Sequence, residues 1–493
     1  MIVHKFGGTS VGDAQRMANV ADIVIQHCRA AGSGAKSNAP CDSASAAGTV
    51  VVVSALSGVT DQLIAGARAA AEGRDQAHCE AKAALLQRHL EIVEGLLNHS
   101  PERLEVAGLV EDRLHDLERL YRSIAVLGEL TVRGTDAVAS LGEQLSAAIL
   151  AAVLRERGAR AQALHATELI VTDSHFGAAS PLMAVTRQRL QERVRPLVER
   201  GVVPVITGFI AANENGVTTT LGRGGSDYTA AIVGAGLDAA EVQIWSDVDG
   251  ILTADPNIVP QARTLPELSY AEAAELAYYG ADVLHPKTIR PLADAGIPLR
   301  ILNTFRPEHP GTRIVARPSA ARRLSPAIIS TTGLSLIAVG SNDDSWTLPM
   351  AARALQLLSE AGVDVLLLSQ AFSEHRLYLV VRVQNQAHCL NVLRREFDGE
   401  GASGQGDGAG PTGRATAHHH LGVKEKVATV SVVGVPGWNE TGIVSHAFGA
   451  LGRHGTRVIA VAQAGTEHSV SFCIPEDQMA GAVRFLHREL GLE

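Results

Sequence analysis

The sequence predicts an α/β protein in which a mainly parallel sheet sandwiched by helices is followed by two smaller α+β modules. Three observations carry this prediction. Short β-branched runs alternate with helical stretches up to about residue 320, the composition changes after about residue 325, and a pattern in the remaining third repeats. Alternating strands and helices indicate a parallel sheet covered on both faces, because each parallel connection needs a crossover.

The first 320 residues supply the alternation. Four short apolar runs are predicted strands, namely Val50–Val53, Pro204–Ile206, Gln243–Trp245 and Leu299–Leu302. Four stretches are predicted helices, namely Ala14–Ala30, Glu111–Leu127, Gly142–Glu156 and Thr186–Glu199. Residues 31–48, rich in Ala, Gly and Ser, are predicted to be a disordered insertion in a surface loop.

The C-terminal third contains two copies of a strand–helix–strand–strand unit. The helical stretches Ala354–Gly362 and Ala447–Gly455 align, each ends at a glycine, and the same offset aligns Gln370 with Gln463. Two copies imply two small modules of one kind. The predicted domain boundaries are 1–320 for the large region, 326–398 for the first module, 399–421 for a Gly-rich linker and 422–493 for the second module.

Composition and charge argue against several classes of function. The net charge of −9, without a dense Lys/Arg run, makes nucleic acid an unexpected partner. The longest aliphatic runs have the length of a strand, far below the roughly 20 residues of a membrane span, so no membrane partner is expected. The five cysteines are scattered without a C-x-x-C pair, which predicts neither disulfides nor a metal site and favours a reducing cytoplasm.

The first candidate site is the turn that follows a short N-terminal strand. The strand Met1–Phe6 carries Lys5 near its end, and Gly7-Gly8 then allow a tight turn with exposed backbone N–H groups. Thr9 and Ser10 follow at a predicted helix start, where anions are favoured. An ammonium group beside such a turn suits a polyphosphate. The simpler alternative is a strand-to-helix turn with an exposed lysine.

A second glycine-rich element, two hundred residues later, favours the functional interpretation. The segment Leu221-Gly222-Arg223-Gly224-Gly225-Ser226-Asp227-Tyr228 follows a predicted strand at Val217–Leu221 and precedes the helical Thr229–Gly234. We expect Ser226 to be the N-cap of that helix. Arg223 offers a planar guanidinium group that matches a carboxylate. A structural turn explains the glycines but not the Arg, Ser and Asp among them.

Taken together, these segments resemble the aspartate kinases of the amino-acid kinase family. The similar segments are Lys5 to Val11, Ser54 to Thr60, Gly142-Glu143, Thr218 to Tyr228, Ile244 to Gly250 and Gly280 to Pro286. The two repeats resemble the paired ACT modules of that family, which have a ferredoxin-like fold. The resemblance covers nearly the whole chain and implies a monofunctional member.

The resemblance implies transfer of the γ-phosphoryl group of ATP, with Mg²⁺, to the side-chain carboxylate of L-aspartate. The product would be 4-phospho-L-aspartate, in the first step of lysine, threonine and methionine biosynthesis. An aspartate carboxylate, with a pKa of about 3.9, is already ionised at neutral pH. No general base is therefore required, and positioning with charge neutralisation should dominate catalysis.

The family pattern also assigns roles to residues of this chain. Lys5 and Asp227 are implied to be catalytic, and we expect Lys5 to neutralise the phosphoryl group while Asp227 orients Lys5. Arg223 would bind a carboxylate of aspartate and Glu143 its ammonium group. The full implied aspartate site is Thr60, Glu143, Arg223, Gly224, Gly225 and Ser226. The full implied nucleotide site is Lys5, Gly7, Gly8, Ser10, Ser246, Asp247, Leu252, Asn257 and Asp282.

Three of the nucleotide positions depart from the family pattern. Leu252 replaces a tyrosine, Asn257 replaces an arginine, and Asp282 replaces a lysine that usually neutralises phosphate. A carboxylate near ATP repels phosphate. We therefore expect the missing charge to come either from Mg²⁺ with Lys5, or from Lys287 or Arg290.

The ACT-like repeats predict feedback by an amino-acid effector. Such modules pair strand edge to strand edge and bind amino acids at the interface, which implies a homodimer or a larger homo-oligomer. We expect threonine rather than lysine, because Leu366 replaces the acidic residue of lysine-sensing relatives and a buried ammonium group without a partner is costly. The implied effector residues are Gln370, Ser373, Glu374, Gln463, Thr466 and Glu467.

Two alternatives stay open. A related carboxylate kinase acting on glutamate or N-acetylglutamate is disfavoured, because those relatives lack the paired repeats. A catalytically weak amino-acid sensor has Asp282 as its only support.

Overall fold

A computed structural model describes residues 1–32, 48–98, 101–278, 284–319, 326–341, 346–397, 419–434, 442–463 and 469–492. The chain divides into two compact units. The first comprises Met1–Ile251, Thr264–Ala274 and Asp282–Arg322, and the second comprises Leu252–Arg263, Glu275–Ala281 and Arg323–Glu493. Residues 33–47 of the predicted insertion, 399–418 of the predicted linker, Asp282, Thr466 and Glu467 lie outside the described residues.

The described part of the first unit forms two sheets. Its strands are β1 (Ile2–Phe6), β2 (Thr49–Val53), β3 (Ala161–Leu164), β4 (Val171–Thr172), β5 (Val203–Thr207), β6 (Ile210–Asn213), β7 (Thr218–Thr220), β8 (Glu241–Ser246), β9 (Glu267–Ser269), β10 (Leu299–Asn303) and β11 (Thr312–Val315). The large sheet has the order β3-β5-β2-β1-β8-β10-β11-β9, and β4, β6 and β7 form the small one. Within the large sheet only the β10–β11 pair is antiparallel.

The helices described up to residue 295 are α1 (Ala14–Gly32), α2 (Val59–Ala71), α3 (Asp75–Leu96), α4 (Pro101–Leu127), α5 (Val132–Ala139), α6 (Leu141–Glu156), α7 (Met183–Arg193), α8 (Arg195–Glu199), α9 (Gly225–Leu237), α10 (Tyr270–Tyr278), which is divided between the two units, and α11 (Pro286–Ala295). Four of these helices contact strands of the large sheet, namely α1, α6, α8 and α9. Residues of α1 and α6 share a core with Phe6, Val51 and Val53, while α9 contacts β1 and β2. This burial fixes the central strand β1, and with it Lys5.

Two predicted helices differ in detail. The stretch predicted at 186–199 forms two helices, α7 and α8, because Pro196 lies at the start of α8 and cannot continue the hydrogen bonds of α7. The helix predicted from Glu111 begins earlier, at Pro101, a residue suited to a first turn. One helical stretch among the described residues, Val132–Glu156, is long and apolar enough to cross a membrane by length and composition, but 89% of its apolar window is buried within the protein.

The described residues of the second unit form one six-stranded sheet and four α-helices. Its elements are β12 (Ala327–Ser341), α12 (Leu348–Glu360), β13 (Leu367–Ala371), β14 (Arg376–Arg382), α13 (Val383–Phe397), β15 (His419–Val433), α14 (Gly442–Arg453), β16 (Ala460–Gln463), β17 (Ser469–Pro475) and α15 (Met479–Glu489). The strand order is β13-β14-β12-β15-β17-β16. Strand β15 includes His419–Leu421, the last three residues of the predicted linker, because they pair with the end of β12.

The register of this sheet confirms the sequence repeat. Gln370 lies opposite Leu377 in the first copy, and Gln463 lies opposite Val470 in the second. The two copies join within one chain through the antiparallel β12–β15 pair. Edge-to-edge pairing of two modules is therefore achieved inside the chain and carries no implication about a second copy.

Two further contacts shape the second unit. Leu367 of β13 and Ala460 of β16 belong to one core cluster, so the two end strands of the sheet approach each other. The segment Leu252–Arg263 belongs to this unit because Ala254 and Val259 are buried in the core of the second copy. The predicted fold class, a mainly parallel sheet with helices followed by two α+β modules, is confirmed.

Candidate active site

A cavity of about 780 Å³ lies at the carboxyl ends of β1 and β2. This volume is in the range of sites for small molecules. The carboxyl ends of parallel strands are the usual ligand-binding edge of such a sheet, because loops rather than strands continue from them. Lys5 at the end of β1 and Ser54 after β2 both line the cavity.

The cavity brings together all of the residues predicted to act on aspartate. These residues come from β1, α2, α6 and the loop that leads into α9, and they are separated by more than 200 positions in the chain. The predicted site residues that line it are Lys5, Gly8, Thr60, Glu143, Arg223, Gly224, Gly225, Ser226 and Asp227.

Lys5 and Asp227 form an ion pair at the wall of the cavity. The Lys5 ammonium lies 2.5 Å from a carboxylate oxygen of Asp227, and the two side chains are 11% and 16% exposed. Asp227 lies in the first turn of α9, where the helix dipole favours a negative charge. The pair therefore holds the ammonium group in a fixed direction at the end of the central strand.

The turn after β1 is held by hydrogen bonds to β8. The N–H of Gly7 donates to the carbonyl of Trp245 at 3.2 Å. The hydroxyl of Ser10 is completely buried and contacts the hydroxyl of Thr304 at 2.7 Å, so this side chain stabilises the turn. The helix predicted to start at Thr9 and Ser10 is a single turn of 3-10 helix, Gly8–Val11. The long helix α1 begins only at Ala14.

Gly8 brings the turn close to the segment after β2. A Cβ atom at this position would lie 3.0 Å from the carbonyl oxygen of Ala55 and 3.4 Å from the N–H nitrogen of Ser57. Only glycine allows this approach without displacing the neighbouring backbone. The two loops thus form one wall of the cavity.

Helix α9 begins two residues earlier than predicted, within the second glycine-rich loop. The helix begins at Gly225, and its N-cap is Gly224 in the left-handed conformation at φ +67°. The prediction that Ser226 is the N-cap is wrong, because Gly224 completes the turn two residues earlier and Ser226 already lies in the first helical turn. A Cβ atom at Gly224 would also lie 2.5 Å from the Cβ of His285, so no larger residue fits.

Arg223 lies in this loop, between Gly222 and Gly224. It is exposed, it lines the cavity, and it forms no ion pair with any residue in the described ranges. A guanidinium group in this state can bind a carboxylate of a ligand with two parallel hydrogen bonds.

Glu143 is an acidic side chain of the cavity wall that a cationic ligand group would complement. Its side chain is buried at the start of α6, and one carboxylate oxygen accepts a hydrogen bond from the N–H of Ala55 at 3.2 Å. The other oxygen, Oε2, is buried and has no hydrogen-bond partner among the described residues. Burial raises the pKa of Glu143 to about 8, because desolvation disfavours the charged form. A cationic ligand group beside Oε2 would satisfy it.

The predicted nucleotide residues are only partly assembled at this cavity. Ser246 ends β8, directly beside β1, and Asp247 follows as an exposed residue, but neither lines the cavity. Leu252 and Asn257 belong to the second unit. Asp282 lies outside the described residues.

Several residues that line the cavity received no role from the sequence, among them Phe209, Asp136 and Thr220. Phe209 adopts φ +65°, an uncommon conformation for a bulky residue, just beyond the carboxyl end of β5. Its position after a parallel strand was the available signal. Asp136 is buried and lies outside the motifs, whereas Thr220 is buried within the segment Thr218 to Tyr228.

The second unit contains a separate cavity of about 530 Å³ near the predicted effector residues. Ser373 and Glu374 line it, and the Tyr378 hydroxyl donates a hydrogen bond to Glu374. Gln370, which pairs with Leu377 in the sheet, does not line this cavity. Gln463 is exposed at the end of β16.

Comparison with protein families gives two matches. Residues 1–303 match the amino acid kinase family, and residues 430–490 match an ACT domain. Aspartokinase 1, chloroplastic, of Arabidopsis thaliana is 30% identical over 498 residues, covering 99% of this chain and 79% of that protein. The bifunctional aspartokinase/homoserine dehydrogenase of Haemophilus influenzae is 29% identical, and the chain spans 56% of its length.

Solved structures agree with the sequence matches. E. coli aspartokinase III in complex with aspartate and ADP (R-state) is 27% identical, with a TM-score of 0.77 over all of both chains. The complex of the same enzyme with lysine and aspartate (T-state) gives a TM-score of 0.76 over 99% of each chain. The chain therefore belongs to the amino acid kinase family, among its aspartokinases.

Proposed function

We propose that this protein transfers the γ-phosphoryl group of ATP to the side-chain carboxylate of L-aspartate and forms 4-phospho-L-aspartate and ADP. The product would supply the biosynthesis of lysine, threonine and methionine. The main observation in support of this reaction is that one cavity contains an exposed Arg223, a buried Glu143 with an oxygen that has no partner among the described residues, and the Lys5–Asp227 ion pair.

This charge pattern complements aspartate. Arg223 would bind one carboxylate, and the unpartnered oxygen of Glu143 would accept the ammonium group. Thr60 and the Gly224–Ser226 turn, which line the same cavity, would contribute hydroxyl and backbone donors. The structure of E. coli aspartokinase III with aspartate and ADP supports a ligand of this class for the family.

The reaction needs charge neutralisation rather than proton transfer. A side-chain carboxylate oxygen of aspartate attacks the γ-phosphorus, and the bond between that phosphorus and the β,γ-bridging oxygen breaks as ADP leaves. Since the carboxylate is already ionised, no proton moves. Lys5 neutralises the transferred group, and Asp227 keeps its ammonium directed toward the cavity.

The phosphate chain would lie along the turn after β1. The close approach that Gly8 permits, together with the ammonium of Lys5, fits a polyanion. Mg²⁺, when bound with ATP, supplies further neutralisation of phosphate charge. Gly7, Ser10, Ser246, Asp247, Leu252, Asn257 and Asp282 remain proposed nucleotide residues on the basis of the family resemblance.

We also propose that an amino acid regulates the enzyme through the paired modules, with threonine favoured over lysine. The cavity beside Ser373 and Glu374 supports a small zwitterion as ligand. Leu366, half-buried before β13, offers no charge to a lysine ammonium. The lysine complex of E. coli aspartokinase III is the main argument for the other effector. A homodimer and a cytoplasmic location are further proposals, as are the domain boundaries 1–320 and 326–398, with the start of the second module moved from residue 422 to His419, where β15 begins.

An ADP-release assay with three acceptors tests the proposed function. We expect turnover with L-aspartate and at least about 100-fold lower kcat/KM with L-glutamate and N-acetyl-L-glutamate, because a misplaced carboxylate loses its alignment. Preference for either alternative acceptor would identify a different carboxylate kinase. Tight amino-acid binding without ADP release would identify a sensor.

A further inference from the structure

Asp136 is a buried carboxylate beside the aspartate cavity that the mechanism does not use. It lies in α5, is 2% exposed and lines the cavity. A buried carboxylate is costly unless donors surround it. Three hydrogen-bond donors surround the Asp136 carboxylate, and all three belong to segments outside α5.

The donors come from two segments of the chain. One oxygen, Oδ2, accepts the N–H of Gly177 at 2.9 Å and the N–H of Thr220 at 3.1 Å, and the other oxygen, Oδ1, accepts the Thr220 hydroxyl at 2.7 Å. A helix-capping role does not explain the carboxylate. The N-terminus of α5 is capped by Thr131, whose hydroxyl accepts the N–H of Gly134 at 3.0 Å.

Both segments lead directly to the Arg223 loop. Thr220 ends β7 three residues before Arg223, and its carbonyl accepts the N–H of Ala179 at 2.9 Å. The carbonyl oxygen of Gly177 would lie 3.2 Å from a Cβ atom at Gly222, so the Gly177 backbone packs against the start of the loop. The Asp136 carboxylate therefore ties together the two pieces of backbone that support the loop.

We propose that Asp136 is a positioning residue for aspartate, which holds Thr220 and Gly177 so that Arg223 faces the substrate carboxylate. This inference rests on the proposed function and adds a residue to it. Losing the carboxylate should weaken the binding of aspartate much more than the binding of ATP, because the proposed function assigns Arg223 to a carboxylate of aspartate and not to ATP.

Variants at Asp136 separate this role from general stability. Asp136→Ala should raise the KM for aspartate about tenfold or more, with the KM for ATP within about twofold. Asp136→Asn should stay within about threefold of wild type. Its amide oxygen can accept both N–H groups while its NH₂ donates to a Thr220 hydroxyl turned to act as acceptor.

A matched control lies in the segment that contains Gly177. Asp173 is exposed and accepts the N–H groups of His175 and Ser180, each at 3.1 Å, but has no contact with Thr220. Asp173→Ala should leave the KM for aspartate within about twofold. An equal rise in the two KM values for Asp136→Ala, or no rise in the KM for aspartate, would overturn the proposal.

A double variant keeps the test valid if Asp136→Ala does not fold. Asp136 and Thr220 share one hydrogen bond between their side chains, so in Asp136→Asn combined with Thr220→Val the effect on the KM for aspartate should differ from the product of the two single effects by about threefold or more. Effects that simply multiply would overturn the proposal. Absence of wild-type turnover with aspartate would instead contradict the proposed function, whereas wild-type turnover with an unchanged Asp136→Ala contradicts only this inference.

Discussion

The ammonium of Lys5 lies 2.5 Å from the carboxylate of Asp227, although the two residues are 222 positions apart in the chain. Strand β1 carries the first and the opening turn of α9 carries the second. Because both side chains are mostly buried, the pair is screened less than a surface ion pair. This ion pair supports the proposal that Asp227 orients Lys5 rather than acting as a base.

Alanine substitutions of Lys5 and of Arg223 should impair different kinetic parameters. Lys5→Ala should lower kcat about 100-fold or more, because the ammonium acts on charge that develops in transfer. Arg223→Ala should raise the KM for aspartate about 10- to 100-fold, because one charged hydrogen-bonding partner is lost. Arg119→Ala, at a residue 75% exposed on α4, is the control for losing a surface cation and should change neither parameter. A similar loss of kcat with an unchanged KM in both site variants would contradict the assigned roles.

The KM for aspartate should depend on pH through Glu143. In the free protein the Glu143 carboxyl has its pKa raised to about 8, and a bound ammonium group favours the ionised form. Aspartate binding therefore releases a proton below pH 8, so the KM should fall about tenfold per unit from pH 6 and level off near pH 8. Steady-state kinetics across this range measure it. Glu143→Gln, which cannot titrate, should show a high and pH-independent KM, and a matching slope in this variant would disprove the assignment.

The same residue should make the free protein less stable as pH rises. Its pKa in the folded state lies above the value of 4.5 expected for the unfolded chain, so the stabilising contribution is complete below about pH 4.5 and is lost as pH approaches 8. Without aspartate, Glu143→Gln should therefore melt several degrees higher than wild type at pH 8, and the difference should shrink toward pH 5. A constant difference across that range would argue against a raised pKa.

Replacing Gly8 by alanine should damage the cavity wall. The new Cβ would lie 3.0 Å from the Ala55 carbonyl oxygen, so the segment after β2 must move. We expect kcat/KM to fall about tenfold or more, with a small change in melting temperature. Gly73→Ala is a matched control, because a Cβ there meets nothing within 4 Å and only its φ of +71° is strained. It should cost about 1 kcal/mol of stability and leave the kinetics unchanged. Equal kinetics for the two variants would contradict this role of Gly8.

Threonine should inhibit the enzyme more strongly than lysine at saturating ATP. Leu366 offers no carboxylate for a second ammonium group, whereas a hydroxyl needs only one polar partner. Inhibition titrations of wild type and Ser373→Ala, which changes the wall of the cavity beside Glu374, measure this preference. Lysine inhibition with indifference to threonine would reverse the assignment, and unchanged threonine sensitivity in Ser373→Ala would argue against this cavity as the effector site.

The sequence predicted the fold class and many of the residues that line the cavity because both depend on local patterns. Alternating strands and helices gave the parallel sheet, and the two glycine-rich loops located Lys5, Arg223 and Asp227. The cap of α9 was predicted at Ser226 from residue preference alone. The structure places it at Gly224, because the left-handed turn and the close approach of His285 both require glycine there.

Contacts between residues that are far apart in the chain could not be predicted from local sequence patterns. Asp136 shows its importance only through donors from Gly177 and Thr220, at sequence distances of 41 and 84 residues. The membership of Leu252–Arg263 in the second unit likewise depends on packing with distant residues. Such contacts follow from the tertiary fold, which residue spacing does not encode.

Trapping the acyl phosphate tests the central claim most directly. With ATP, Mg²⁺ and L-aspartate, hydroxylamine should convert the product to the hydroxamate of the aspartate side-chain carboxyl group, in a one-to-one ratio with ADP. Mass spectrometry identifies the hydroxamate, and omission of aspartate should abolish both products. A side-chain hydroxamate formed at the rate of ADP release is the predicted result, whereas ADP formation without hydroxamate, or a hydroxamate at the α-carboxyl group, would contradict phosphoryl transfer to the side chain.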